Sequence, residues 1–304
     1  MKKIKKIKDK RKSTLYEILV FAFLIFYTFT MLVIVYWGFS TSLKDKMGLR
    51  YNLMGLPDTW YKPWTWKWKN YVLAFEEIKV PIAVAGGTKN VTLFELLRNS
   101  ILYCVTISFI GPLIPCITAY ATAQFKDFKF NKVLIGIVLT TLVLPIYGNL
   151  AANLQLNKAL GLYDSLLGVI VRGAGFTGVS FLVFRALFLS IPRSYSEAAI
   201  VDGAGNMRIM VSIMLPQAVG TYFTYVLLGF VGNWGDYTTP LIWLPSMPTL
   251  AYGLYKFSSS TENSINNIPL RVTACMITML PVLIIYAVSN NLFSMNLSFG
   301  GVKE

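Results

Sequence analysis

The 304-residue chain contains no histidine. That absence removes the usual proton shuttle, most Ser–His nucleophile pairs and most zinc sites. Cysteine is nearly missing too. Cys104, Cys116 and Cys275 all fall inside apolar runs without metal-ligand spacing and read as small buried hydrophobes. Charge is scarce at 14% of residues, and acid is scarcest, with 14 Asp and Glu against 28 Lys and Arg. No paired carboxylates stand within the apolar runs, which argues against an enzyme embedded in a membrane. No G-x-x-x-x-G-K-[ST] phosphate loop is present, so the chain has no motif for holding ATP itself.

What the chain has is apolar length. It is 55% hydrophobic, with a mean hydropathy of +0.56. Several runs approach the roughly 20 apolar residues that a bilayer-spanning helix needs. The fold class expected is an all-α integral membrane protein with six transmembrane helices and both termini cytoplasmic. A basic cytoplasmic tail (1–14) precedes the first transmembrane helix (15–41), whose apolar run is too long for a cleaved signal. An extracytoplasmic loop (42–93) leads into a five-helix core (94–297), and a short cytoplasmic tail (298–304) ends the chain. The later spans are expected at about 97–122, 133–150, 166–189, 218–244 and 270–297.

The net charge of +14 does not point to nucleic acid, because eight of the 28 basic residues lie in the first twelve positions. Directly before an apolar span, such a cluster is a cytoplasmic anchor under the positive-inside rule, with membrane lipid as its neighbour. Lys126, Lys129 and Lys132 place the next short loop on the same side. The 42–93 loop carries Trp60, Trp64, Trp66 and Trp68 among lysines and tyrosines. It reads either as an interfacial aromatic belt or as a docking platform with a surface helix near 68–78. Gly173-Ala-Gly175-Phe-Thr-Gly178 is a literal GxGxxG. Flanked by apolar helix and not by a strand, it is expected to let helices pack closely and not to bind a dinucleotide.

One polar interruption stands out, between the fourth and fifth spans at 190–216. Ser194 and Glu197 have the S-x-x-E spacing of a capping box, which predicts a short helix over 195–202 with Ser194 as its N-cap. Gly203 can take the left-handed turn that ends it. Asn206 is expected to cap a second helix that Pro216 stops. The result is a lever of two short helices and a glycine elbow; an ordinary capped loop helix is the plainer alternative.

Here the residues carry a resemblance. Glu197-Ala198-Ala199-x-x-Asp202-Gly203-Ala204, followed by Ile213-x-Leu215-Pro216, resembles the "EAA" loop of permease subunits of binding-protein-dependent ABC importers. The Asp-Gly-Ala form is similar to the carbohydrate-uptake branch, the maltose and oligosaccharide type. Asn99-Ser100, Ala119-Tyr-Ala121, Gly161-Leu162, Trp234-x-Asp236-Tyr237, Leu280-Pro281 and Gly-Gly-Val-Lys303 extend it over nearly the whole chain. Met210, Gly220 and Gly235 depart from it. The resemblance implies the type I importer permease architecture in a bacterial cytoplasmic membrane. It implies as partners a second permease subunit, two cytoplasmic ATPase subunits holding ATP and magnesium, an extracytoplasmic solute-binding protein and a carbohydrate substrate. Ser194, Glu197, Ala198, Ala199, Asp202, Gly203, Ala204 and Pro216 would contact the ATPase.

A pyranose offers apolar C–H faces and a hydroxyl rim, so aromatic and amide side chains inside the spans are path candidates, polar groups there being costly. These are Tyr147, Asn149, Asn153 and Gln155 near the third span, and Asn233, Trp234, Asp236 and Tyr237 in the fifth. Helix–helix hydrogen bonding is the competing reading for each. Two other functions remain open: the same machinery with a non-sugar solute, or a secondary transporter acting alone, for which Asp236 is the one plausible coupling carboxylate.

Overall fold

A computed structural model describes residues 15–57, 61–84, 87–126, 128–144, 148–173, 175, 178–259 and 267–297. The chain divides into two compact units, one of residues 1–72 with 267–276 and one of the remainder.

The first unit begins with α1 (Leu15–Ser42), apolar on every side, its side chains exposed along most of its length. Its last turn is different. Ser40, Thr41, Ser42 and Leu43 are fully buried, and Asn70 donates to the carbonyls of Ser42 (2.8 Å) and Lys44 (2.7 Å). Thr273 reaches the Ser42 carbonyl from the last helix. Asp45 opens α2 (Lys46–Tyr51) by accepting from the Gly48 amide at 2.7 Å, as a good N-cap does. Trp66 and Trp68 stack at 6.3 Å ahead of α3 (Lys69–Glu77), the helix expected near 68–78. The chain after the first span is thus a folded, internally hydrogen-bonded segment; Trp60 lies outside the described residues.

The second unit holds a feature the sequence reading missed. Strands β1 (Lys79–Val84) and β2 (Gly87–Thr92) pair antiparallel, from Lys79 opposite Thr92 to Val84 opposite Gly87. Thr92 then caps α4 (Leu93–Ile110) with a complete capping box, the Glu95 carboxylate accepting from the Thr92 amide at 2.9 Å. Gly111 and Pro112 interrupt the second span, and α5 (Leu113–Gln124) continues it. The chain goes on through α6 (Lys129–Val143), α7 (Leu150–Ala159), α8 (Leu166–Gly173) and α9 (Val179–Ser190).

Two of the GxGxxG glycines do not serve a close helix approach: α8 ends at Gly173 and α9 begins at Val179, Gly178 takes φ +124°, and a Cβ at Gly173 or Gly178 would touch nothing. Part of the motif lies outside the described residues.

Beyond α9 come α10 (Ser194–Val201), α11 (Asn206–Ile209), a π turn at Met210–Met214, α12 (Leu215–Trp234), α13 (Thr238–Trp243), α14 (Leu250–Ser259) and α15 (Ile268–Leu297), which contains Pro281. The core forms where α9 meets α5. Phe181, Phe184 and Phe188 recur at helical spacing on one face and enter the surface left by Cys116, Ala119, Tyr120 and Ala123. Small residues opposite large ones bring the backbones close, which matters in lipid, where association rests on dispersion and packing. Asn131 ties the loop after α5, donating to the Thr122 carbonyl at 2.6 Å. At α4, Asn99 donates to the Pro248 carbonyl and Ser100 accepts from the Leu250 amide, so that pair fixes the start of α14.

Among the described residues, four helical stretches are long and apolar enough to cross a membrane: Tyr16–Ser42, Leu93–Gln124, Asn206–Trp234 and Ile268–Val288. The protein is an integral, multi-pass membrane protein with a helical membrane domain.

Candidate functional site

The 194–216 segment folds as a lever, though not with the caps expected. Arg193 already has helical angles (φ −61°, ψ −24°), and Ser194 is the first residue of α10. A capping serine needs extended backbone, so Ser194 cannot close the box with Glu197. The elbow is as expected. Gly203 sits at φ +78°, its amide donates to the Ile200 carbonyl, and the Ala204 amide donates to the Ala199 carbonyl, each at 2.9 Å. This double closure is the Schellman arrangement, which ends a helix sharply and leaves little slack.

Gly205, and not Asn206, precedes α11 as its N-cap. Nor does Pro216 stop the second helix. The proline lacks an amide, and its ring would meet the Ser212 carbonyl in a regular α-helix. The backbone absorbs this one turn earlier: the Leu215 amide bonds five residues back to Met210, and the helix runs on to Trp234.

The lever has two faces. Ala199, Ile209 and Met214 are buried against α5, α9 and α12, and Ser196 is buried beside them in sequence. On the other side Tyr195, Ile200, Val201 and Met207 are exposed, Val201 by 86% and Met207 by 72%. Glu197, Ala198 and Asp202 lie open with them. This side of the segment leaves an apolar surface open.

At the far end of α12 the picture reverses. Asn233 donates to the Ser108 hydroxyl at 3.2 Å, and the Trp234 indole donates to the Thr278 carbonyl at 2.9 Å while stacking on Phe230. Asp236 accepts from the amides of Thr238 (2.9 Å) and Thr239 (3.1 Å) at the start of α13, and from the Tyr103 hydroxyl. It is a structural cap, and both its oxygens are engaged. Tyr237 alone of this group presents a free face, stacked on Tyr255 at 4.5 Å.

Around it lie residues the sequence reading did not select. The Arg172 guanidinium sits over the Trp243 ring at 4.9 Å and donates to Thr239. Asp164, at φ +58°, binds the amide and hydroxyl of Ser246, and Lys158 lies over Tyr163. Their shared signal was available: aromatic and cationic residues recur in the short segments between apolar runs. The other candidates do not join this cluster. Asn149 precedes α7 without capping it, Asn153 and Gln155 lie along α7, Gln155 exposed, and Tyr147 is outside the described residues. Among the described residues no group of His, Cys, Asp and Glu could hold a metal ion.

Known proteins are similar to this chain. A permease protein of a diacetylchitobiose uptake system from Streptomyces coelicolor is 24% identical over 271 residues, covering 88% of this chain and 82% of the relative. A permease protein of an arabinooligosaccharide transport system from Bacillus subtilis is 28% identical, covering 69% and 74%. One of an sn-glycerol-3-phosphate transport system from Agrobacterium fabrum is 29% identical, covering 67% and 73%. Among solved structures, a bacterial ABC transporter involved in import of the acidic polysaccharide alginate superposes with a TM-score of 0.70 at 21% identity, covering 92% of this chain and 97% of that one. The fold is therefore shared. Residues 111–298, most of the chain and all of the lever, match the family model for the inner membrane component of binding-protein-dependent transport systems, and the chain belongs to that family.

Proposed function

We propose that this chain is one permease of an ATP-driven carbohydrate importer, crossing a bacterial cell membrane six times with both ends in the cytoplasm. The 194–216 lever docks its open face on a cytoplasmic ATPase, and closure of that ATPase rocks the helices to which the lever is joined. Ser194, Glu197, Ala198, Ala199, Asp202, Gly203, Ala204 and Pro216 belong to this coupling element. A second permease, a second ATPase subunit and an external solute-binding protein complete the machine. The observation that carries the reading is the lever's two-sidedness. One face is locked into the core, and the other offers Tyr195, Ile200, Val201 and Met207 to a partner.

The cargo is an oligosaccharide. Relatives named for diacetylchitobiose and arabinooligosaccharides support this, as does the exposed aromatic pair Tyr237 and Tyr255, which suits the C–H faces of sugar rings. A non-sugar anion is the second reading, favoured by the exposed Arg172 and by the relatives named for sn-glycerol-3-phosphate. A lone secondary transporter loses support, because Asp236 is spent as a helix cap.

The test is uptake in proteoliposomes holding the complete complex. Gly203→Pro and Glu197→Lys abolish ATP-coupled uptake while the chain still inserts and assembles. Normal uptake by both variants rejects the lever. Competition by oligosaccharides against glycerol phosphate decides the cargo.

A further inference from the structure

Residues 150–173 and 215–259 carry three cations, Lys158, Arg172 and Lys256, and two carboxylates, Asp164 and Asp236. Both carboxylates are committed elsewhere. Asp164 accepts from the Ser246 amide (3.0 Å) and hydroxyl (2.8 Å), and Asp236 accepts from the amides of Thr238 and Thr239 and from the Tyr103 hydroxyl. Neither forms an ion pair among the described residues. Of the three cations, Arg172 is held in place. Its guanidinium lies over the Trp243 ring at 4.9 Å, and Trp243 is buried, so the stack rests on a fixed wall. It donates once, to the Thr239 hydroxyl at 3.3 Å, and makes no other hydrogen bond or ion pair among the described residues. The rest of its planar fork of donors is unspent and exposed. Thr239 and Trp243 both belong to α13, and Tyr237 is the N-cap of that helix. Tyr237 stacks on Tyr255 at 4.5 Å with the planes 13° apart, the two rings 40% and 39% exposed. A flat aromatic surface and an uncompensated guanidinium are thus anchored along one helix of roughly 9 Å.

We infer that this rim takes an acidic oligosaccharide, one whose sugar rings carry carboxylate groups. The inference rests on the oligosaccharide reading given above and adds the charge of the cargo. Ring C–H faces lie against the tyrosine pair, and a uronate carboxylate accepts from the Arg172 fork, whose planar donors match a planar carboxylate. A neutral sugar would leave the guanidinium to water. Glycerol phosphate would satisfy the guanidinium but brings no ring face to the tyrosines. A cargo with both features uses both. A guanidinium is more weakly hydrated than an ammonium, so less solvation is lost when the carboxylate arrives. The exposure of Arg172 keeps the gain modest and open to screening by salt.

Isothermal titration of the complete complex in nanodiscs tests the charge of the cargo, with the external binding protein left out so that its own selectivity does not enter. The probes are a panel of uronate-containing trisaccharides, each paired with its carboxyl-reduced neutral counterpart. At low salt the wild-type complex binds the acidic member of a pair about fivefold more tightly, and the margin closes at high salt. Arg172→Gln erases the margin by weakening the acidic probe alone, whereas Tyr237→Ala weakens both members alike. Unchanged binding of the neutral probe shows that the Arg172→Gln complex is folded. Equal affinities in the wild type, or a margin that survives Arg172→Gln, overturns the inference and leaves the oligosaccharide reading standing, since the neutral probe still binds. Binding of neither member of any pair overturns the two together.

Discussion

The long helical stretch from Asn206 to Trp234 ends in two opposite ways. At one end the chain turns through Gly203 into α10 and leaves apolar side chains exposed. At the other, Asn233, Trp234 and Asp236 are polar groups next to an apolar run, and all three are consumed by bonds to Ser108, Thr278 and the start of α13. Both ends look alike in sequence, as polar interruptions of a span. What separates them is where the partners are. A polar group inside a membrane protein costs free energy until it is bonded, so the sequence alone cannot say whether its partner lies within the fold or is cargo.

The sharpest way to break this contrast is Asp236→Ala. It strands two backbone amides and the Tyr103 hydroxyl at once, and should cost about 2–4 kcal/mol of stability. Thermal unfolding in detergent measures it. Unchanged stability with weaker substrate binding would return Asp236 to the solute path. Gly203→Val comes next, forcing a β-branched residue to φ +78°. It should cost about 1–2 kcal/mol and, more tellingly, remove stimulation of the ATPase by substrate-loaded binding protein. A smaller comparison concerns the two segments with the same cap spacing. Thr92→Ala should cost about 1 kcal/mol, because its box is formed, whereas Ser194→Ala should leave melting unchanged. Last, Gly235→Asn should shift stability by no more than about 0.5 kcal/mol, since Gly235 has ordinary helical angles and open space beside it. The same melting assay, paired with Tyr237→Ala, sharpens the division. That variant should keep its stability and raise the half-saturating substrate concentration.

The apolar runs and Gly203 were legible because each rests on a local rule: helix length against bilayer thickness, and the one residue that tolerates a left-handed turn. The Phe181, Phe184 and Phe188 face follows helical spacing but could not name α5 as its partner. Ser194 failed for a local reason that its spacing hid, as the preceding Arg193 is already helical. The β1–β2 hairpin was missed because Lys79–Thr92 shows little alternation, its second strand being mostly polar and exposed. The rim of Arg172, Tyr237, Trp243 and Tyr255 draws on α8, α12–α13 and α14, so only the folded chain assembles it.

The π turn at Met210–Met214 has a consequence for how the protein can change. It holds one residue more than an α-helical turn would over the same arc. Removing a residue elsewhere in a helix rotates everything beyond it by about 100°, exchanging inner faces for outer ones. Here the surplus residue can be dropped and the faces on either side stay aligned, the only obstacle being the Pro216 ring against the carbonyl before it. Deleting Val211 together with Pro216→Ala would therefore yield an unbroken helix in which both the lever and α12 keep their orientation. The joint between them is a dispensable insertion, and its presence gives the helix a place to yield.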